Sequence, residues 1–354
     1  MKFSGASGLS RIALNPECAW QTVMLRSSKS EPEFYEQVTG EVFPKEYGER
    51  LSARRRGSKF ERNAFDHQAA KLRAVMAERL GVAAEDIWVR NLEDDEPGGH
   101  ESNRIRRSNL TRAILSDRLE GKRTPEILIQ PQLTLTVHGL ARSERLFIAP
   151  DVLYLDSGSG RYRPADLKSF VVRDNQVAPG DLERSRLQLA IQSLALHEVL
   201  SVLADTRPQE HIGALVFATP YGLAPHAPQE ESLDAPVHLV RRAIAAIGHH
   251  HALIEGLKSK DGVKRESLLL QELPNHYQDR CVSACALAGE CKKRQQNRAA
   301  VLGDAAVEVL GPNMDVGRAA QLLAGATPRD QREREIAALL QELAQPFETL
   351  RRAA

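Results

Sequence analysis

Two aspartates and a lysine, arranged around one tight turn, carry the clearest chemical signal in this sequence. Residues 145–155 (RLFIAPDVLYL) and 162–172 (YRPADLKSFVV) have the β-branched and aromatic character of strands. Between them runs Asp156-Ser-Gly-Ser-Gly-Arg161, made of residue types that form turns. With pairing symmetric about the midpoint of Gly158 and Ser159, residues whose numbers sum to 317 face each other, and Asp151 meets Asp166. Directly opposed residues on paired strands have Cβ atoms about 4.5–5.5 Å apart. Lys168 lies two residues beyond Asp166 and projects from the same face.

Two facing carboxylates repel and need a proton or a cation between them. Lys168 supplies one positive charge; a divalent ion would supply the remainder. Hard oxygen donors suit Mg²⁺ or Mn²⁺, which polarises a phosphoryl oxygen and lowers the pKa of a bound water. Lys168 would orient that water or stabilise charge developing on a phosphate. The bland alternative is two surface aspartates and a surface lysine on an exposed hairpin. Against it stand the apolar flanks Leu146, Phe147, Ile148, Leu153, Leu155, Phe170, Val171 and Val172.

Two further features point toward the same chemistry. Glu61, in Gly57-Ser-Lys-Phe-Glu61, falls in the first turns of an expected helix and could add a ligand, or serve only to favour the helix dipole. An expected helix at 181–203 is apolar on most sides but carries Gln188 and Gln192 four residues apart, with Arg184 and Ser185 extending the stripe. Amides on a buried helix need partners. Those partners are the lysine, a metal-bound water or a phosphate; a solvated strip is the other reading.

The chain has four cysteines, too few for a disulfide scaffold at this length. Three form Cys281-x3-Cys285-x5-Cys291, and the fourth is Cys18. Four thiolates fit a 4Fe–4S cluster or structural zinc. The one-plus-three split favours the cluster, because zinc more often uses paired Cys-x2-Cys hooks. Cys18 and Cys281 lie 263 residues apart, and closing such a loop costs roughly 5–6 kcal/mol. In the alternative, Cys18 is an ordinary buried thiol and the triad binds zinc with His276.

The order Gly-x-x-x-Glu61, Pro-Asp151, Asp166-x-Lys168, Gln-bearing helix and terminal cysteines resembles the PD-(D/E)xK nucleases of the RecB-like branch. The cysteine arrangement is similar to that of its iron–sulfur members, such as the AddB nuclease domain and the CRISPR-associated RecB-like exonucleases. The resemblance spans roughly residues 10–295. It implies a restriction-endonuclease-like mixed sheet flanked by helices. It implies Glu61, Asp151, Asp166 and the Leu167 carbonyl as metal ligands, Lys168 as the catalytic lysine and Gln188 as the motif glutamine. Cys18, Cys281, Cys285 and Cys291 would hold a 4Fe–4S cluster. The implied activity is Mg²⁺- or Mn²⁺-dependent hydrolysis of DNA, more exonuclease than endonuclease, on single strands or ends, in recombination, repair, CRISPR adaptation or phage defence. Partner proteins in such a complex are also implied. The chain departs from the family in having Gln192 where that helix carries tyrosine, a three-residue first cysteine gap where two is usual, and Glu61 where histidine is common. The alternatives are a catalytically inactive DNA-binding scaffold that keeps the cluster, and a zinc-bound interaction protein.

The elements that must position these residues read as helix, three strands, helix, strand, which suits a mixed sheet flanked by helices. The strands are expected at 126–138, 145–155 and 162–172, with a buried strand at 212–218 and helices at 104–119, 181–203 and 235–258. Residues 91–100 read as a loop. The first 56 residues read as polar and irregular, and residues 296–354 as a helical tail; between them, 57–295 would form the core. The balance of 48 basic and 47 acidic side chains leaves any nucleic-acid surface local. Arg54, Arg55 and Arg56, and the series Arg104, Arg106, Arg107, Arg112, Arg118, Lys122 and Arg123, are either phosphate contacts or solvated faces. Trp20 and Trp88 read as core, with stacking on a base as the sharper option. The consecutive His249, His250 and His251 point in different directions on a helix and make no metal site. No apolar run spans a membrane, no secretory signal is evident, and a cytoplasmic location is expected. The absence of a phosphate-cradling glycine loop argues against a built-in ATPase.

Overall fold

The structure is a computed structural model that describes residues 5–27, 29–43, 51–94, 100–138, 144–171, 179–208, 210–219, 222–261, 270–278 and 280–353. Val172, residues 95–99 of the loop expected at 91–100, and the side chains of Arg54 and Val171 fall outside what is described. In chain order the helices are α1 (Gly5–Leu14), α2 (Ala19–Arg26), α3 (Glu31–Thr39), α4 (Leu51–Leu80), α5 (His100–Leu119), α6 (Pro179–Val202), α7 (Asp234–Asp261), α8 (Cys281–Ala284), α9 (Ala288–Arg294), α10 (Asp304–Leu310), α11 (Val316–Leu323) and α12 (Gln331–Ala353). The strands are β1 (Val89–Asn91), β2 (Ile127–Ile129), β3 (Leu133–Val137), β4 (Glu144–Ile148), β5 (Val152–Leu155), β6 (Tyr162–Val171), β7 (Ile212–Ala218) and β8 (Gln229–Ser232). Among the described residues, no helix is long and apolar enough to cross a membrane.

Six strands form the central mixed sheet in the order β1-β2-β5-β6-β7-β8, and β3 and β4 form a separate antiparallel pair. The β1–β2 and β6–β7 pairs are parallel; the other pairs are antiparallel. Two expected strands thus split. Residues 126–138 divide into β2 and β3 around Gln130-Pro131, and 145–155 divide into β4 and β5 around Ala149-Pro150. Proline has no N–H to give a ladder, and Gln130 sits at φ 51°, outside the strand region. The chain therefore leaves one sheet and enters the other at each proline.

Alternation along the strands builds a core on both faces of the sheet. Ile127, Ile129, Val152, Tyr154, Ala165 and Leu167 join Phe60, Leu72 and Met76 of α4. Leu128, Leu153, Leu215 and Phe217 join Leu189, Leu194 and Leu196 of α6. α6 buries many apolar residues because it is surrounded: it packs on β6, β7, the β3–β4 pair, α1 and α7. β8 closes one sheet edge with Gln229, Glu230 and Glu231, a charged edge of the kind that discourages pairing with another chain.

The amino-terminal region differs from its sequence reading. It forms three helices, and every residue of α2 is buried. Its polar residues mislead because they are paired inside. Asn15 Nδ2 donates to His276 O at 2.6 Å, Gln21 Nε2 to Ala284 O at 3.3 Å, and Thr22 Oγ1 meets His250 Nδ1 at 2.9 Å. Beyond α9, helices α10 to α12 surround a small core of their own, including Leu310, Leu322 and Ile336.

Gly213 lets α6 lie close on β7. A Cβ built there would stand 2.8 Å from Leu189 Cγ and 2.9 and 3.0 Å from its methyls. Gly213→Ala is expected to destabilise the fold by about 1–3 kcal/mol through overpacking. The check is the urea midpoint, and an unchanged midpoint would mean that α6 does not rest on this contact.

Candidate active site

The β5–β6 turn is stapled by Asp156, whose Oδ2 accepts from Ser159 N at 2.9 Å and Ser159 Oγ at 2.8 Å. The ladder that follows pairs Val152 with Ala165, Leu153 with Pro164, Tyr154 with Arg163 and Leu155 with Tyr162. These pairs have the register obtained from symmetry about the turn. One step beyond the last pair, the same register sets Asp151 opposite Asp166.

Which face these residues use follows from their neighbours. Ala165 and Leu167 belong to the α4-side core, so Asp166 and Lys168 project toward α6, where they meet its glutamines. Lys168 Nζ lies 2.6 Å from Asp166 Oδ2 and donates to Gln188 Oε1 at 2.6 Å. Gln192 Nε2 donates to Asp166 Oδ1 at 3.3 Å. Asp151 Oδ2 accepts from the Leu167 N–H at 2.7 Å, so Leu167 enters the site through its amide. Asp151 is itself held by Gln130, whose N–H donates to the Asp151 carbonyl at 2.9 Å. That main-chain tie was not read from the sequence, where Gln130 looked like strand interior; Gln130-Pro131 was the available signal.

The electrostatics are those of a crowded, oxygen-rich pocket. Burial, then the charge of Asp166, pushes the Asp151 carboxyl well above its usual range, with Glu61 adding to the effect and Lys168 and the Leu167 N–H opposing it. Burial alone would lower the Lys168 pKa, but the carboxylates of Asp166, Asp151 and Glu61 more than compensate, and it stays charged. Glu61 acts from α4, one helical turn after Gly57, which lies close to Ser169 of β6. Three acids therefore bear on one amine. Gln192 Oε1 is buried and accepts no hydrogen bond, and the buried Asp166 Oδ2 is partnered by the Lys168 ammonium at 2.6 Å.

Among the described residues, no three His, Cys, Asp or Glu side chains stand in the arrangement of a metal site. The carboxylates are instead turned onto Lys168, Gln192 and the Leu167 amide. The donor set nonetheless fits a hard divalent cation: acidic groups that bear on a single amine, and buried oxygen donors. Asp151 and Asp166 are the side chains placed to take it.

The four cysteines are all buried as free thiols in one core cluster. Cys18 immediately precedes α2, Cys281 begins α8, Cys285 immediately follows it and Cys291 lies in α9. Burial raises the thiol pKa of Cys18, Cys285 and Cys291, and the neighbouring cysteines raise each further. Asn15 Nδ2 donates to Cys281 Sγ at 3.2 Å, Ala19 N to Pro274 O at 3.1 Å and Trp20 Nε1 to Leu273 O at 3.2 Å. The segment bearing Cys18 is thus seated against the segment bearing the other three. His276 hydrogen-bonds through its ring with Asn15 and Gln278.

The remaining candidates divide. Arg104, Arg106, Arg112, Lys122 and Arg123 are exposed, whereas Arg107 is buried and reaches the Gln130 carbonyl at 3.5 Å. Trp20 is core, but Trp88 is 43% exposed, contrary to its core reading.

A carboxyl with a raised pKa in the folded state holds its proton more tightly there than when unfolded. Its contribution to stability is complete below the ordinary value of 3.8 and fades as pH rises through the raised value. In metal-free buffer Asp151→Asn should therefore gain stability over the native chain as pH is taken from 3 to 7. Parallel urea titrations across that range check this, and a constant difference would show that Asp151 titrates normally.

No protein-family model matches this chain, and no curated protein matches it.

Proposed function

We propose that the chain is a metal-dependent nuclease that hydrolyses phosphodiester bonds, with single-stranded DNA or DNA ends as substrate. The observation that carries this reading is the convergence of Lys168, Asp166 and Gln188 on the sheet face that the register also gives to Asp151. A Mg²⁺ or Mn²⁺ bound by Asp151 and Asp166, with Glu61 and the Leu167 carbonyl as further candidate ligands, would polarise the phosphate and acidify a water. Lys168, kept charged by its carboxylate neighbours, faces the charge that grows on the phosphoryl oxygens. Gln188 fixes the ammonium, and Gln192 holds Asp166 in place. Water adds to phosphorus, the bond to one sugar oxygen breaks, and that oxygen leaves with a proton.

The same proposal extends to the rest of the chain. The fold is read as restriction-endonuclease-like. The four cysteines are read as ligands of a 4Fe–4S cluster that fastens the α1–α2 region to α8 and α9, with zinc as the alternative. The protein would work in the cytoplasm on DNA, in repair, recombination or antiviral defence, with protein partners. A second reading, an inactive DNA-binding scaffold, is favoured by the way the carboxylates are engaged by protein donors rather than set as a cage.

Purified protein should degrade single-stranded DNA with Mn²⁺ or Mg²⁺ and not with chelator. Lys168→Ala should lower kcat by about 10²-fold or more with little change in KM. A native chain that binds DNA without cutting it under any divalent ion supports the scaffold. Anaerobically purified protein should contain iron and acid-labile sulfide and absorb visible light, and Cys18→Ser should lose both. Zinc alone, without colour, would replace the cluster reading.

A further inference from the structure

We infer that a cleft between α4 and the β1 edge of the sheet holds one unpaired nucleotide of the nucleic-acid strand, its base stacked on Trp88 and its phosphate near Arg73. The cleft encloses about 430 Å³, and its lining includes Phe65, Gln68, Arg73, Trp88, Asn91 and Ile129. That volume lies within the range of small-ligand pockets, about 300–1,000 Å³. This inference rests on the nuclease reading only for the identity of the strand; the chemistry of the cleft is independent of it.

Its position ties it to the site. Ile129 pairs with Val152, the residue after Asp151. The next residue, Gln130, donates to the Asp151 carbonyl. Phe65 lies one turn beyond Glu61 in the regular part of α4. The cleft thus lies on the α4 face of the sheet, across from the α6 face that carries Asp166 and Lys168, and it comes nearest to them where Ile129 and Gln130 meet the Asp151 segment.

Its chemistry selects a nucleotide. Trp88 belongs to neither core cluster, yet its backbone is anchored: its N–H donates to Glu126 Oε2 at 2.7 Å and its carbonyl accepts from Ile127 at 3.2 Å. A large indole left in water on a fixed strand is a ready stacking platform. Among the described residues Arg73 forms no ion pair, and its Nε is buried with no hydrogen-bond partner. It offers a cation to a phosphate. Gln68 and Asn91 offer amides to a base edge. Asp94, which accepts from Asn91 Nδ2 at 3.0 Å, sets a negative charge at the Asn91 end. That end repels phosphate and suits the amino group of a base.

The cleft wall also carries strain. Asp66 is extended, and His67, Gln68 and Ala69 follow at φ 51°, 57° and 58°. Left-handed backbone in residues other than glycine is disfavoured, and such strain gathers at ligand sites. Here it swings α4 so that Gln68 and Ala69 face the cleft.

Tryptophan emission tests the inference, because Trp20 is 1% exposed beneath Arg294 and Trp88 is the accessible indole. Metal-free protein is titrated with a short oligodeoxycytidylate, whose bases carry an amino group, with a duplex of equal length and with inorganic phosphate. The single strand should quench emission saturably, and the duplex and phosphate should not. Trp88→Ala should abolish the quench and weaken binding about ten-fold or more, Trp88→Phe should restore most of the affinity, and Arg73→Ala should weaken binding and reduce its salt dependence. In turnover, Trp88→Ala should raise KM and leave kcat. Equal affinity in Trp88→Ala, or equal quenching by duplex, overturns the inference. Quenched binding without cleavage would sink the nuclease reading and leave the cleft standing; cleavage with KM unchanged in Trp88→Ala would do the reverse.

Discussion

A buried ammonium is what allows acidic side chains to share one face of this sheet. Without Lys168, Asp151 and Asp166 would face each other beneath α6 with only amides for company, and one would have to keep its proton. With it, the pocket remains short of positive charge, since Glu61 also acts on the pair. In the proposed reading, that shortage is what would draw in a divalent cation. A pocket fully neutralised by its own residues would have no electrostatic reason to recruit one.

The scaffold is arranged around that pocket. β6 is central and long, with Ala165 and Leu167 on one side and the charged pair on the other. α6 supplies both glutamines, and it can be polar there because nearly all its remaining circumference is buried against β3–β4, β7, α1 and α7. Its position depends in turn on a glycine in β7 that leaves room for Leu189.

What could be read in advance follows the range of the interaction. The hairpin register was legible because turn chemistry is local, and so was the sharing of one face by Asp166 and Lys168. β7 was legible at residues 212–218 because it is a continuous apolar run. Breaks at Pro131 and Pro150 were visible as residues, yet their effect, sending β3 and β4 into a separate sheet, depends on what each piece packs against. β1 and β8 were missed: three and four residues, partly polar, carry almost no pattern. The burial of α1 and α2 was hidden most thoroughly, since Asn15, Gln21 and Thr22 look like surface until His276, Ala284 and His250 are placed beside them.

That last arrangement bears on how the polypeptide is made. α2 has its hydrogen-bonding and stacking partners at Leu273, Pro274 and Arg294, some 250 positions downstream. At ribosomal speeds of about 5–20 residues per second, a segment rich in apolar side chains waits roughly 13–50 s before those partners emerge. Until then it packs on its neighbours α1 and α3 and, once that helix is made, on α7. The late docking of this early segment onto the carboxy-terminal one would complete its burial.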